Sequence, residues 1–149
     1  YDLYPNQAFA QQHGFDYVTL DELLGQSDII TVHAPYNKST HHMINAGNIG
    51  RIKRGAVLIN TARGGLIEPQ ALLDALNDGT LSAAGIDVWE NERTIYADEV
   101  SKQLVNHPNM VPTPHNAFNT TEALRRILDT TAENIIKTSQ GEKGCSVIA

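Results

Sequence analysis

The sequence predicts an α/β fold in which a parallel β-sheet carries helices on its faces. Three observations support this prediction. Short apolar runs rich in β-branched residues recur along the chain, stretches with helix-capping residues lie between them, and the connections are short. A right-handed crossover is expected for each strand–helix–strand unit.

Four segments are predicted to be strands of this sheet. The first three are Ile29–Val32, Ala56–Ile59 and Ala83–Val88, and a shorter fourth is Met110–Val111. Continuous apolar runs, as opposed to alternating ones, are typical of strands that are covered on both faces. The sheet is therefore expected to lie between layers of helices.

Capping residues predict the first helices. Thr19 and Glu22 have the spacing of a capping box, in which each side chain accepts a hydrogen bond from the backbone of the other. Asn45 can cap a helix over the segment AGNIGRIK, which Gly55 would end.

Two later helices are predicted from terminal residues and periodicity. Pro69 suits the first position of a helix and Gly79 the position just after its end. The last helix is predicted to begin after Asn119 or Thr120 and to run for about five turns. Its apolar residues fall mostly at helical spacing: Leu124, Ile127, Leu128, Ile135 and Ile136.

Composition limits the function classes. Among 149 residues, 41% are hydrophobic, which is typical of a globular domain. Seventeen acidic residues against eleven basic ones give a net charge of -6, which argues against nucleic acid as a partner. No apolar run is long enough to predict a membrane span, and one cysteine cannot form an internal disulfide. We expect an acidic cytoplasmic domain.

Charged and polar residues follow each predicted strand. Ligands of open α/β sheets bind outside the carboxyl ends of the strands, so these residues are expected to share one rim. They are His33–Pro35, Asn60–Gly65, Asp87 with Glu90–Glu92, and Thr113–His115. Their separation in sequence makes convergence on one rim more informative than any single motif.

Three of these residues suggest acid–base chemistry on a carboxylate substrate. Arg63 offers a rigid fork of donors suited to a carboxylate, and His115 can exchange a proton near neutral pH. Glu92 beside a histidine would orient the ring and favour its protonated form. Each residue also has a purely structural explanation. Arg63 could form a surface ion pair, His115 could be a packed or capping residue, and Glu92 could lie in a solvated loop. Pro114 fixes the backbone before the histidine, and Gly64–Gly65 permit close approach to a ligand.

Other candidates are weaker. His41 and His42 are adjacent, so their side chains are expected to diverge on an extended chain, and no metal site is predicted. Cys145 is expected to be an inert thiol in a Gly/Ser-rich tail, and Trp89 a packing residue. Asp2 could accept ribose hydroxyls at the end of a strand, but no G-x-G-x-x-G motif precedes it in this chain.

Four segments together resemble the D-isomer-specific 2-hydroxyacid dehydrogenase family. They are HAPYNKSTHHMIN, GAVLINTARGGLIE, AAGIDVWENE and TPHNAFNTTEALR, in the family's order and approximate spacing. The resemblance implies a Rossmann-type doubly wound parallel sheet, partial because the first βα unit and its glycine-rich loop are missing, with a long C-terminal helix. It divides the chain into a partial NAD-binding domain, 1–118, and a helix and tail, 119–149, that return toward a substrate domain not present in this chain.

The resemblance also implies roles for individual residues. Arg63 matches the arginine that binds the substrate carboxylate, His115 the acid/base histidine, and Glu92 its paired glutamate. Phe118 resembles an aromatic residue beside the substrate pocket in the lactate branch. Positions implied to bind NAD are Asp2, Ala34, Pro35, Thr40, Thr61, Ala62, Arg63 and Asp87.

The implied reaction interconverts a small 2-keto acid and a D-2-hydroxy acid with NADH and NAD, with pyruvate and D-lactate as the expected pair. The alternatives are another 2-hydroxyacid dehydrogenase (phosphoglycerate, glycerate or branched-chain 2-keto acid) and a non-catalytic NAD-sensing protein of the same fold. The segment between Glu92 and Thr113 is shorter than in the lactate branch. The resemblance implies a homodimer, and the isolated chain is expected to be inactive.

Overall fold

The computed structural model describes residues 1–94 and 97–142. These residues form parts of two compact units, the first spanning Tyr1–His115 and the second beginning at Asn116. The helices of the first unit are α1 (Gln7–His13), α2 (Leu20–Gln26), α3 (Pro69–Asn77) and α4 (Glu99–Val105). Its strands are β1 (Ile29–Val32), β2 (Ala56–Asn60), β3 (Leu81–Ile86) and β4 (Met110–Pro112).

The four strands form one parallel sheet in the order β1-β2-β3-β4. This confirms the predicted fold class and all four strands. The predicted bounds of β1 are correct, whereas β3 begins two residues before the predicted Ala83 and ends at Ile86, before the predicted Val88.

The register of the sheet aligns the carboxyl ends of its strands. Val32 pairs with Asn60, Asn60 with Ile86, and Ile86 with Pro112. The segments that follow the four strands therefore leave the sheet at a common edge. We call this edge the rim, and its formation confirms the predicted convergence.

The core lies between the central strands and α3. Leu58 of β2 and Leu81 of β3 are fully buried. Each such leucine contributes about 1.5–3 kcal/mol relative to an exposed one. The α3 leucines that face this core are Leu72, Leu73 and Leu76. A buried apolar layer thus packs on the strands whose carboxyl ends form the rim.

Two predicted helix signals are confirmed. The Thr19 hydroxyl accepts from the Glu22 amide while the Glu22 carboxylate accepts from the Thr19 amide, at 3.3 and 2.9 Å. The hydrogen bond from the Thr19 side chain also holds the pKa of the Glu22 carboxyl below its usual value. In α3, Pro69 occupies the first position and Gly79 follows the helix end with a φ of 76°.

The prediction of a helix over the segment AGNIGRIK is wrong. Only a short 3₁₀ helix, Ile49–Arg51, forms there. The Asn48 side chain accepts from the Asn45 amide at 2.9 Å and donates to the Met43 carbonyl at 2.8 Å. Such local side-chain bonds compete with helical ones, and two glycines lower the helix propensity further.

Two short helices, α1 and α4, are absent from the sequence predictions. Asn6 caps α1, and Gly14 ends it in the left-handed region with a φ of 69°. Asp98 caps α4 by accepting from the Ser101 amide at 2.8 Å. Their capping residues were available in the sequence, but seven residues with few apolar positions give a weak periodic signal.

The second unit contains α5, Thr121–Ser139. Its 19 residues match the predicted five turns, and the Thr120 hydroxyl caps it by accepting from the Ala123 amide at 3.1 Å. No residue of α5 is buried. Among the described helices, none is long and apolar enough to cross a membrane.

Candidate functional site

The rim holds a histidine–glutamate pair. The Nδ1 atom of His115 lies 2.8 Å from an Oε1 of Glu92, and both side chains are partly exposed. Glu92 begins a short 3₁₀ helix after β3, whereas His115 follows β4. The pair therefore joins two segments that are distant in sequence, as predicted.

The backbone around His115 is constrained. Pro114 precedes it, and His115 itself has a φ of 53°, in the left-handed region that non-glycine residues rarely adopt. Just before it, the Thr113 hydroxyl donates to the buried Asp87 carboxylate at 2.5 Å. The Thr113 amide also donates to the Ile86 carbonyl at 3.0 Å. These contacts fix the segment from which the histidine projects.

The histidine and the glutamate line a cavity of about 410 Å³. This volume lies within the range of sites for small molecules. The remaining lining residues are Trp89, Val105, Pro112, Thr113 and Pro114. A mostly apolar hollow with one histidine–glutamate pair favours acid–base chemistry on a small ligand.

The cap of α4 supports one side of this cavity, to which the helix contributes Val105. The Ser101 hydroxyl donates to the Asp98 carboxylate at 2.5 Å, and this bond holds the pKa of Asp98 below its usual value. The resulting stabilisation is present above the pKa of Asp98 in the unfolded chain. It is lost as the pH falls through the lower pKa of the folded state.

The turn after β2 is organised by Asn60, whose side chain is 1% exposed. Its amide nitrogen donates to the Arg63 carbonyl at 2.9 Å, and its oxygen accepts from the Ala62 amide at 3.0 Å. Asn60 thus holds the backbone of Arg63. The sequence places Asn60 among the predicted rim residues but indicates no role for it. An asparagine that ends an apolar strand was the available signal, since a buried amide there needs partners.

Arg63 is exposed, and its Nη1 donates to the Ala62 carbonyl at 2.6 Å. Within residues 1–94 and 97–142, no carboxylate forms an ion pair with it. The surface ion pair considered as its structural explanation is therefore not found among these residues. The guanidinium retains donors for a carboxylate ligand.

Gly64 and Gly65 permit close packing within the protein. A Cβ on Gly64 would overlap the backbone of Trp89 and Glu90, and one on Gly65 would lie 2.6 Å from the Tyr36 ring. The close approach at Gly64 brings the Arg63 turn against the segment that leads to Glu92.

The predicted NAD-binding positions differ in burial. Ala34 and Ala62 are half-buried, and Thr61 is exposed beside Ala62. Thr40 is buried, and its hydroxyl donates to the Pro35 carbonyl at 2.6 Å, so it is engaged within its own turn.

Three further residues of the sequence analysis are Asp2, Phe118 and Cys145. Asp2 is exposed and accepts from the Tyr4 amide at 2.8 Å. Among the described residues, no hydrogen bond or ion pair joins Asp2 to the rim. Phe118 belongs to the second unit and is 54% exposed. Cys145 lies outside the described residues.

The expected divergence of His41 and His42 is wrong. Their rings stack with centroids 3.8 Å apart. The physical reason is the backbone of His42, whose φ of 47° is left-handed and not extended.

Comparison with known proteins identifies similar chains. A family model described as D-isomer specific 2-hydroxyacid dehydrogenase, NAD binding domain, matches residues 1–117. A D-lactate dehydrogenase from Treponema pallidum is 38% identical, with 95% of this chain and 45% of the relative covered. Glyoxylate reductase 1 of Saccharomyces cerevisiae is 39% identical, with 83% of this chain and 34% of the relative covered.

A solved structure has a similar fold. It is the NAD-complexed form of a D-isomer specific 2-hydroxyacid dehydrogenase from Lactobacillus delbrueckii ssp. bulgaricus. The TM-score is 0.86 at 31% identity, and the match covers 99% of this chain and 47% of that one. The chain thus spans less than half the length of these relatives.

Proposed function

Because the chain belongs to the D-isomer-specific 2-hydroxyacid dehydrogenase family and matches its NAD-binding domain, we propose that it supplies the cofactor side of an enzyme that interconverts a 2-keto acid and a D-2-hydroxy acid. Pyruvate and D-lactate are the proposed pair. The observation that supports this function best is the 2.8 Å contact between His115 and Glu92 at the rim. Binding of a cofactor alone does not require this pair.

The residues present fit the reactive half of NAD. The cavity beside His115 combines apolar surface from Trp89, Val105 and Pro112 with an ionisable pair, which suits a planar ring next to a polar substrate. When bound, NADH supplies the hydride for the keto carbon. Ala34, Pro35, Thr61, Ala62 and Asp87 are proposed to line this half, and Asp2 and Thr40 the adenosine half.

The side chains of this domain have distinct proposed roles. Arg63 binds the carboxylate of the keto acid and helps to polarise its carbonyl. Glu92 accepts from Nδ1 of His115 and so fixes the ring orientation. His115 then donates a proton from Nε2 to the carbonyl oxygen as that oxygen gains negative charge. In the reverse direction, neutral His115 accepts the hydroxyl proton.

A panel of substrates tests the proposed reaction in the whole protein that contains this chain. Pyruvate, hydroxypyruvate, glyoxylate and 2-ketoisocaproate are compared with NADH and NADPH. We expect the highest kcat/KM for pyruvate with NADH, and Phe118 is the proposed aromatic residue of the pocket. A preference for another keto acid would retain the reaction class and reject the pyruvate proposal. Absence of turnover with all four keto acids would reject the proposed enzyme activity.

Replacing Arg63 with lysine is expected to raise the KM for pyruvate by about tenfold or more and to slow turnover. A point charge replaces the planar fork, so one charge-assisted hydrogen bond of about 1.5–3 kcal/mol is lost. Steady-state kinetics measures both constants. Arg54→Lys is the matched control, because Arg54 bonds to the Asp78 carbonyl away from the rim. An unchanged KM in Arg63→Lys would remove Arg63 from the carboxylate site.

We further propose that the protein acts as a cytoplasmic homodimer. The family resemblance supports this proposal, because it implies a homodimer formed through the cofactor domains. Light scattering of the whole protein would give twice the mass of one chain, and a monomer mass would reject the dimer. Cell fractionation tests the location.

A further inference from the structure

A cluster of two histidines and a glutamate lies outside the roles proposed above. The left-handed backbone of His42 stacks its ring on that of His41, at an interplanar angle of 24°. Backbone strain of this kind costs of order 1–3 kcal/mol and is concentrated at functional positions. The strain here places two imidazoles side by side on one surface.

Glu90 completes the cluster. Its Oε1 lies 3.1 Å from Nε2 of His42, and both side chains are 28% exposed. One ligand atom from each of His41, His42 and Glu90 lies within 4.8 Å of the other two. The histidine–glutamate separation is close to the spacing of two ligands around one ion with bonds of about 2.0–2.2 Å.

The surrounding structure holds these side chains in place. The His42 amide donates to the Gly65 carbonyl at 2.8 Å, and Gly64 packs directly on the Glu90 backbone. The Tyr36 hydroxyl lies 3.1 Å from Nδ1 of His41. A metal-binding histidine usually bonds through its other ring nitrogen to a fixed partner, and Tyr36 provides such a partner while leaving Nε2 for an ion.

We propose that His41, His42 and Glu90 form a site for a divalent transition-metal ion, with Zn²⁺ as the representative ion. Imidazole and carboxylate are ligands that Zn²⁺ accepts, and three protein ligands leave a fourth position for water. The proposed ligand atoms are Nε2 of His41, Nε2 of His42 and a carboxylate oxygen of Glu90. Hard ions such as Mg²⁺ prefer all-oxygen ligands and are not expected to bind.

A bound ion would connect two segments of the rim. His41 and His42 lie in the turn after β1, and Glu90 lies two residues before Glu92. Zn²⁺ is therefore expected to raise the melting temperature of the protein, because an ion that binds only the folded state stabilises it. This inference does not depend on the proposed reaction, since binding and melting are measured without substrate or NADH.

Competition with a chromophoric chelator tests the site with Zn²⁺ alone. The Cys145→Ser chain serves as the reference, because it lacks the only thiol in the sequence. We expect one bound Zn²⁺, binding weaker by at least about tenfold in His42→Gln and Glu90→Gln, and a similar loss in Tyr36→Phe. His13→Gln is the matched control, because His13 is exposed and lies in α1.

Two further readouts keep the result interpretable. Circular dichroism without metal confirms that each variant folds, and NMR of the reference chain follows the histidine ring signals. Zn²⁺ should shift the signals of His41 and His42 and leave that of His13 in place. The site is rejected if His41→Gln, His42→Gln and Glu90→Gln bind Zn²⁺ as tightly as His13→Gln does. Equal affinity for Mg²⁺ would also reject it.

Discussion

Replacing His115 with alanine is expected to lower kcat for pyruvate reduction by about 10²–10⁴-fold while NADH affinity changes little. Glu92 contacts Nδ1 of the ring at 2.8 Å, so the proposed proton donor is the opposite nitrogen, Nε2. Alanine leaves the developing alkoxide without a positioned proton donor. It leaves the backbone around β4 intact, because the Thr113–Asp87 bond does not involve the imidazole.

The effect of His115→Ala on turnover and its effect on cofactor affinity are measured separately on the whole protein. Steady-state kinetics gives kcat, and a fluorescence titration with NADH gives the affinity for the cofactor. His13→Ala controls for the loss of an imidazole elsewhere, since that ring lies at the end of α1. An NADH affinity that falls as steeply as kcat would mean that His115 has a structural role and not an acid–base one.

A companion variant tests the role of Glu92. Glu92→Gln keeps the side-chain shape but removes the negative charge that contacts Nδ1 of His115. We expect a loss of kcat that is smaller than that of His115→Ala, because the histidine remains in the site. In a double variant the two losses should not add, since both residues act through one proton transfer. Additive losses would indicate that the pair acts as two independent groups.

The strands and the rim could be predicted because their signals are local and strong. Continuous apolar runs such as Ile29–Val32 predict buried strands. Parallel pairing then brings the carboxyl ends of the strands together, and this does not depend on the conformation of the loops. This is why Glu92 and His115, from different strand ends, were expected on one rim. The pairing of Asn60 with Ile86 and of Ile86 with Pro112 provides the corresponding register.

Features that depend on single side-chain contacts were not predictable in the same way. The failed helix after Asn45 depends on amide hydrogen bonds of Asn48, which a propensity scale does not contain. The stacking of His41 and His42 depends on one left-handed residue, although the sequence suggested an extended chain. A glycine can indicate that another group approaches the backbone closely at that position. The sequence alone does not show whether that group is a ligand or another loop.

Gly64→Ala is expected to lower the free energy of unfolding by about 2–3 kcal/mol, at the upper end of the cost of overpacking. The added methyl group would overlap the backbone of Trp89 and Glu90, not the end of a flexible side chain. One of the two segments must therefore move. Urea denaturation of the chain measures the loss.

Gly50→Ala is the matched control for this substitution. Gly64 begins a short 3₁₀ helix, Gly64–Leu66, and Gly50 lies in another, Ile49–Arg51. Nothing lies within 4 Å of the position that a Cβ on Gly50 would occupy, and the φ of Gly50 is not left-handed. The control should be neutral or slightly stabilising, by up to about 1 kcal/mol, because alanine reduces the freedom of the unfolded chain. A difference between the two variants thus isolates the contact with Trp89 and Glu90 from the general effect of losing a glycine.

The Gly64 variant also tests how the rim is assembled. Arg63 precedes the glycine and Glu92 follows the segment on which it packs, so displacement of either segment changes the separation of two proposed catalytic residues. We therefore expect kcat/KM for pyruvate to fall in Gly64→Ala even at temperatures where the protein remains folded, whereas Gly50→Ala retains it. Equal stability and equal kcat/KM in the two variants would mean that the close packing of these segments is not needed to hold the site.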